Sequence, residues 1–220
     1  MLMTPILGPL PPVAQRQQFL ADEDHRALLD HVLANRDKFS PAVVNKGQVD
    51  SVNRVDPAKR IALTTRTIGP LEPLLRDRLG AALADLAAQF GLGFTADSLE
   101  LEFAAHGDGA FFGAHTDIPI GANRTTLSDE PGHDRVVSAV YYFYATPRQF
   151  SGGNLRLYRF GADPQGDGQD PANHLDLAPT DNSLVAFPST VRHEVTRVSC
   201  PSGRFDDYRF ALNCWYCAAR

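Results

Sequence analysis

The sequence has little that would tie the protein to a membrane or to an oxidising compartment. Its three cysteines all lie within the last 21 residues, and this odd, clustered count does not suggest a disulfide framework. No segment approaches the roughly 18 consecutive apolar residues of a membrane span. The start, MLMTPILGPLPP, lacks the basic region and long apolar stretch of a secretion signal. We therefore expect a cytoplasmic protein with reduced thiols and no membrane contact.

Positive charge is also in short supply. Lys and Arg total 21 against 26 Asp and Glu, a net charge of −5, so the chain lacks the strongly basic balance of a nucleic-acid binder. Hydrophobic residues at 43% and charged residues at 21% are typical of a globular protein. Lysine is absent after residue 60. Either this reflects ordinary surface chemistry, or the arginines of the C-terminal half have fixed partners.

The first 97 residues read as a mainly helical region. An acidic start at Asp22 precedes apolar residues at helical spacing, and Leu71–Phe90 repeats leucine with the same period before Gly91 and Gly93. We expect this region, 1–97, to support a second one, 98–220, within one compact catalytic domain.

The second region changes to short runs rich in Val, Tyr and Phe, separated by turns. Many short strands at this spacing indicate a β-sandwich or barrel, so the expected fold is mainly β with flanking helices. Two long polar segments, 118–135 and 161–174, are expected to be loops that contact substrate. The predicted strands are Leu99–Ala105, Val136–Tyr144, Asn154–Phe160, Asn182–Phe187, Glu194–Val198 and Arg209–Tyr216.

Three residues stand out as candidate metal ligands. His115 and Asp117 are two positions apart, so on extended chain their side chains point to the same side. His193 follows 76 residues after Asp117, just beyond a predicted strand. Two histidines and one carboxylate form the facial triad that leaves three positions open on Fe(II). Each piece alone is common, but the three together are specific.

At this point the sequence resembles a family, the iron(II)- and 2-oxoglutarate-dependent dioxygenases, and within it the prolyl 4-hydroxylase-like group. The resemblance covers about 120 residues in family order. It implies a double-stranded β-helix (a jelly roll, as in cupins) supported by the N-terminal α-helices. The segments that carry it are Gly-Ala-His115-Thr-Asp117, Ser138-Ala-Val-Tyr-Tyr142-Phe, Phe150-Ser-Gly-Gly153-Asn-Leu-Arg-Leu-Tyr158, Val185-Ala-Phe-Pro188, His193-Glu-Val195 and Arg209-Phe-Ala-Leu-Asn-Cys-Trp-Tyr216.

The resemblance also implies which residues bind the co-substrate. Arg209 would form a two-pronged ion pair with the distal carboxylate of 2-oxoglutarate, for which a guanidinium is well shaped. Arg204 is a competing candidate by its spacing from the second histidine. The hydroxyl of Tyr142 would also reach the co-substrate, although spacing alone leaves Tyr141 open. The family's usual tyrosine before the iron motif is missing, and His106 is a candidate replacement.

The resemblance implies that His115, Asp117 and His193 hold Fe(2+), with O2 as oxidant and ascorbate as an optional reductant. The expected reaction is hydroxylation of an unactivated C–H bond coupled to decarboxylation of 2-oxoglutarate to succinate. The expected substrate is a prolyl or other side chain in a peptide or protein. A free amino acid or other small metabolite is the alternative. A non-enzymatic cupin-like metal binder is a more distant one, since cupins would typically use His-x-His. A homodimer stays open.

Overall fold

A computed structural model of the chain describes residues 7–44, 55–91, 96–118 and 133–219. Two α-helices, α1 (Asp22–Ala34) and α2 (Glu72–Gln89), accompany a larger number of strands. The strands in these ranges are β1 Ala14–Gln17, β2 Ser40–Pro41, β3 Arg60–Ile61, β4 Leu63–Thr65, β5 Ser98–His106, β6 Phe111–His115, β7 His133–Phe143, β8 Ser151–Gly152, β9 Leu155–Tyr158, β10 His174–Leu177, β11 Ser183–Pro188, β12 His193–Val195, β13 Val198–Ser199 and β14 Arg209–Ala219.

The strands form two main antiparallel sheets. The larger sheet has the order β1-β11-β7-β14-β5-β4-β2, and the smaller has the order β10-β9-β12-β6-β3. Buried residues of both sheets, among them Tyr142, Leu157 and Phe187, pack together in one apolar cluster. The two sheets therefore face each other, and the predicted mainly β fold with flanking helices is confirmed.

Both helices pack against the other face of the larger sheet. Helix α1 has acidic residues in its first turn, where they complement the helix dipole, and buries Leu28 and Val32. Helix α2 buries Leu75 and Leu79 in the same apolar cluster as α1, which lies between the helices and the larger sheet and is called the helix-side cluster. The Tyr216 hydroxyl donates a hydrogen bond to the Leu79 carbonyl at 2.8 Å. The molecule thus has three layers: helices, larger sheet and smaller sheet.

Strand β14 shows how the sequence positions a site between the sheets. Because side chains alternate along a strand, Phe210, Leu212, Cys214 and Tyr216 enter the helix-side cluster. The residues between them face the smaller sheet, and Arg209, Asn213 and Trp215 line a pocket there.

The N-terminal region contains more strand than its helical pattern suggests. The two expected helices are present, but the region also contributes β1, β2 and β4 to the larger sheet and β3 to the smaller one. The division of the chain at residue 97 stays a prediction. Segment 161–174 contains two short 3-10 helices, Asp167–Gln169 and Pro171–Asn173, before β10 begins. Of the other expected loop, residues 119–132 lie outside the described residues. No helix in the described ranges is long and apolar enough to cross a membrane.

Candidate metal centre

The three candidate ligands meet at the ends of two neighbouring inner strands of the smaller sheet, β6 and β12. His115 ends β6, His193 begins β12, and the antiparallel pairing of these strands places the two histidines opposite each other. Ligand atoms of His115, Asp117 and His193 all lie within 4.8 Å of one another. The Nε2 atoms of His115 and His193 are 3.7 and 3.6 Å from the Asp117 carboxylate. The structure therefore brings together all three predicted ligands.

The backbone fixes which ring nitrogen each histidine presents. Nδ1 of His115 lies 2.9 Å from the Gly113 carbonyl, and Nδ1 of His193 lies 2.9 Å from the Val191 carbonyl. A carbonyl only accepts, so each Nδ1 carries the proton and each Nε2 keeps a free lone pair. Metal-bound histidines are commonly oriented in this way. The donor set fits a divalent iron ion.

Charge and hydrogen bonding favour the ligating state of Asp117. Burial alone would raise the pKa of this carboxyl, but His193 and His115 lower it below its usual value. The Ser138 hydroxyl donates to Asp117 at 2.6 Å, and the Ser189 hydroxyl lies 2.8 Å from that of Ser138. Burial lowers the pKa of His115, with a further contribution from His193. A charged carboxylate and a neutral His115 are the forms that bind metal.

Aromatic rings hold both imidazoles in place. The Phe112 ring stacks on His115 at 3.6 Å between centroids and an interplanar angle of 17°. The rings of Phe187 and His193 are packed edge to face, with their centroids 4.7 Å apart. These contacts limit rotation of the two rings and cover them from water.

Arg209 lies at the closed end of the same pocket and is 1% exposed. It is the first residue of β14 and pairs across the sheet with His106 of β5. Its guanidinium carbon lies 4.8 Å from the centre of the Tyr142 ring. Burial lowers the pKa of Arg209. Among the described residues, no carboxylate forms an ion pair with it.

Two polar atoms at this closed end have no hydrogen-bond partner. They are Nε of Arg209 and the hydroxyl of Tyr142; both are fully buried, and the two side chains interact with each other. An unpaired buried donor is unfavourable, and an unpaired buried cation more so. Both residues line the pocket that contains the three metal-ligand candidates. An anionic ligand with a carboxylate at this end would satisfy both donors.

The glycines of the Ser-Gly-Gly segment have no side chain, and Arg209 occupies the space that this leaves free. Gly153 adopts φ +67°, and a Cβ there would lie 2.7 Å from Cδ of Arg209. Gly152 adopts φ +69°, and a Cβ there would clash with the Arg197 carbonyl oxygen. Both positions combine a left-handed backbone with a close approach, so only glycine fits without rearrangement.

The structure also separates the competing candidates. The Arg204 side chain is 70% exposed and pairs with Asp207 at 2.9 Å, away from the pocket. Tyr141 packs in the helix-side cluster, and its hydroxyl donates to Asn182 at 2.9 Å. Arg209 and Tyr142 are therefore the members of each pair that reach the pocket.

Two arginines with carboxylate partners lie toward the open end of the pocket, Arg60 in its lining and Arg135 against the lining residue Trp215. Arg60 pairs with Glu102 at 3.1 Å, and its guanidinium lies 4.7 Å from the centre of the Phe112 ring. Arg135 hydrogen-bonds to Glu100, with Nε 3.0 Å from a carboxylate oxygen, and lies 3.8 Å from the centre of the Trp215 ring. The fixed-partner interpretation of the C-terminal arginines therefore holds for Arg135.

Sequence reasoning missed several of these contacts. Asn213 and Trp215 alternate with Arg209 along β14 and line the pocket with it. For the hydrogen bond from Ser138 to Asp117, the sequence offered one indication, which is that Ser138 begins one of the segments that resemble the family. The Arg60–Glu102 pair joins residues 42 positions apart, and nothing in the local pattern indicates it.

The comparisons with known proteins agree with this geometry. The family model for the 2OG-Fe(II) oxygenase superfamily matches residues 101–217. An uncharacterised PKHD-type hydroxylase of Synechocystis sp. is 29% identical over 203 residues, which cover 90% of this chain. The chain spans 61% of that relative's length.

Solved structures show the same fold. A prolyl-4-hydroxylase of Pseudomonas putida is similar with a TM-score of 0.59 and 24% identity, over 94% of this chain and 92% of that one. A prolyl hydroxylase of Trichoplax adhaerens, in complex with a hypoxia inducible factor oxygen degradation domain peptide fragment, is similar with a TM-score of 0.62 and 19% identity, over 94% and 83%. With its family match, jelly-roll fold and His-Asp-His cluster, this chain belongs to the 2OG-Fe(II) oxygenase superfamily.

Proposed function

We propose that this protein is an Fe(II)- and 2-oxoglutarate-dependent dioxygenase that hydroxylates a prolyl or other side chain in a peptide or protein. One observation carries the co-substrate part of the proposal. A buried guanidinium without a described carboxylate partner shares one pocket with a His-Asp-His cluster. Such a pocket suits a ligand that is anionic at its far end and chelates metal at its near end.

In this proposal, His115, Asp117 and His193 hold the iron, and Arg209 and Tyr142 bind the distal carboxylate of 2-oxoglutarate. Iron, 2-oxoglutarate and O2 would together supply the oxidation of an unactivated C–H bond, with release of succinate and carbon dioxide. The chain's own residues position these groups. No separate general base is required of the chain, because iron, 2-oxoglutarate and O2 would supply the C–H oxidation.

The open end of the pocket supports a peptide substrate. Phe112 and Trp215 line the pocket there and are half-buried, so they add apolar surface next to the metal-ligand candidates. The similar structures from Pseudomonas putida and Trichoplax adhaerens are prolyl hydroxylases, and the second holds a peptide. We assign the same substrate class to this protein on that basis.

The iron assignment is tested by metal content. Purified His115→Ala and His193→Ala variants, loaded anaerobically with Fe(II) and desalted, should lose the stoichiometric iron of the unmodified protein. His174→Ala is the matched control, because His174 contacts the Gly168 carbonyl outside the pocket. Tight, stoichiometric iron in both triad variants would contradict the assignment.

The substrate assignment is tested by turnover. Succinate release should be measured with proline-containing peptides and with free proline, and mass spectrometry should show a gain of one oxygen atom in the product. Coupled turnover on a peptide supports the proposal. Coupled turnover on free proline or another metabolite, with none on any peptide, would replace the substrate class and leave the iron chemistry intact.

A further inference from the structure

Arg209 is held by a neutral side chain. Its NH1 nitrogen lies 3.1 Å from Nδ1 of His106, and both residues are at most 4% exposed. The pairing of β5 with β14 sets this contact, because it places His106 directly opposite Arg209. Both side chains line the pocket of the candidate metal centre.

The contact fixes the proton of His106. A guanidinium only donates, so Nδ1 of His106 must accept, and the proton of the neutral ring lies on Nε2. Burial lowers the pKa of His106 well below its usual value, and the charges of Arg209 and Arg60 lower it further. The ring therefore stays uncharged while it accepts from Arg209.

A second arginine that lines the pocket has a different kind of partner. Arg60 donates to the Glu102 carboxylate, which compensates its charge. His106 orients Arg209 without compensating its charge. A carboxylate at the position of His106 would orient the guanidinium equally well. Its negative charge, however, would already compensate the positive charge that a ligand carboxylate needs.

We propose that His106 is a positioning residue that orients Arg209 through a neutral acceptor and thereby reserves its positive charge for the distal carboxylate of the co-substrate. The pocket then selects 2-oxo acids that carry a second carboxylate. This inference rests on the proposed co-substrate role of Arg209.

The test compares two nearly isosteric variants, His106→Asn and His106→Asp. Each places an acceptor oxygen close to the position of Nδ1, but only the aspartate is charged. Anaerobic Fe(II) protein is titrated with 2-oxoglutarate and with 2-oxopentanoate, which has the same chain length and no distal carboxylate. Binding is followed by the metal-to-ligand charge-transfer absorbance. His174→Gln is the control for replacing a histidine outside the pocket.

We expect His106→Asn to bind 2-oxoglutarate within about tenfold of the unmodified protein. We expect His106→Asp to bind it at least about 30-fold more weakly, which is the lower end of the effect of altering a buried charge pair. Affinity for 2-oxopentanoate should be similar in all three proteins. Iron stoichiometry and melting temperature verify that the variants fold, and His106→Gln with His106→Glu serves as a second pair if either does not.

Equal losses of 2-oxoglutarate affinity in the neutral and charged variants would overturn the proposal, because a purely geometric role predicts them. A parallel loss of 2-oxopentanoate affinity would overturn it as well. Failure of the underlying assignment looks different. In that case Arg209→Met itself would bind 2-oxoglutarate with unchanged affinity.

Discussion

The two ends of the pocket hold their arginines in opposite ways. At the open end, Arg60 and Arg135 are partly exposed and each contacts a glutamate. At the closed end, Arg209 is fully buried, contacts His106 and Tyr142, and has no ion pair among the described residues. Desolvation is greatest where the compensating charge is missing. The open-end arginines therefore stabilise the fold, whereas Arg209 is placed at a cost to stability that a bound anion offsets.

The first expected effect that separates the two ends is on stability. Arg60→Met leaves the half-buried Glu102 with Arg66, 3.7 Å away, as its remaining ion-pair partner among the described residues, and should lower the free energy of unfolding by about 2 kcal/mol, between the values for an exposed and a fully buried pair. Arg209→Met removes a buried cation without leaving a carboxylate unpaired, so stability without co-substrate should be unchanged or higher. Urea denaturation measures both. Equal destabilisation would remove the distinction.

Co-substrate affinity should show the opposite order. Arg209→Met should weaken 2-oxoglutarate binding by about 2–5 kcal/mol, because the distal carboxylate loses its charged partner. Arg204→Met is the control, since Arg204 pairs with Asp207 on the surface, and it should leave the affinity unchanged. Titration of the charge-transfer absorbance reports both. A large loss in Arg204→Met alone would transfer the role to Arg204.

Removing the hydroxyl groups that hold Asp117 in place should have an intermediate effect, on iron affinity. Ser138→Ala removes the hydroxyl that donates to Asp117 at 2.6 Å and should weaken iron binding by about 10–100-fold, the range for such supporting contacts. Ser189→Ala acts one hydrogen bond further away and should cost less. Competition with a chelator of known affinity measures the difference. Iron affinity that is unchanged in both variants would show that the serines are dispensable.

The smallest effect is expected at Gly153. An alanine there would be strained by about 1–2 kcal/mol at its positive φ, and its Cβ would contact Arg209. Gly203→Ala is the matched control, with φ +63° and no neighbouring atom within 4 Å. Both variants should lose stability, but only Gly153→Ala should weaken 2-oxoglutarate binding, by about tenfold. The same affinity in both would mean that the contact with Arg209 is relieved by rearrangement.

The sequence predicts the site better at the metal than at the co-substrate end. His115, Asp117 and His193 are predictable because their spacing and the strands between them carry a specific pattern. Arg209 and Arg204 could not be separated by counting residues from His193. What separates them is the alternation of β14, which places Arg209 on the pocket face together with Asn213 and Trp215.

The parts that local patterns do not predict depend on long-range pairing. Strands β2 to β4 have two or three residues each, too few for a period to be visible. The contact of His106 with Arg209 joins residues 103 positions apart. Each requires the register of two distant strands, and the chain specifies this register through the packing of the whole larger sheet.

Strand β14 joins core packing and co-substrate chemistry in one stretch of chain. Phe210 and Leu212 belong to the helix-side core, and Arg209 and Asn213 belong to the pocket. A slip of one residue in its pairing would exchange the two sets, placing a guanidinium among the apolar residues under α1 and α2 and a phenylalanine ring in the pocket. A misfolded chain of this kind would lose its stability and its affinity for 2-oxoglutarate together. Molecules that persist long enough to be isolated are thereby restricted to the register that is also competent to bind the co-substrate.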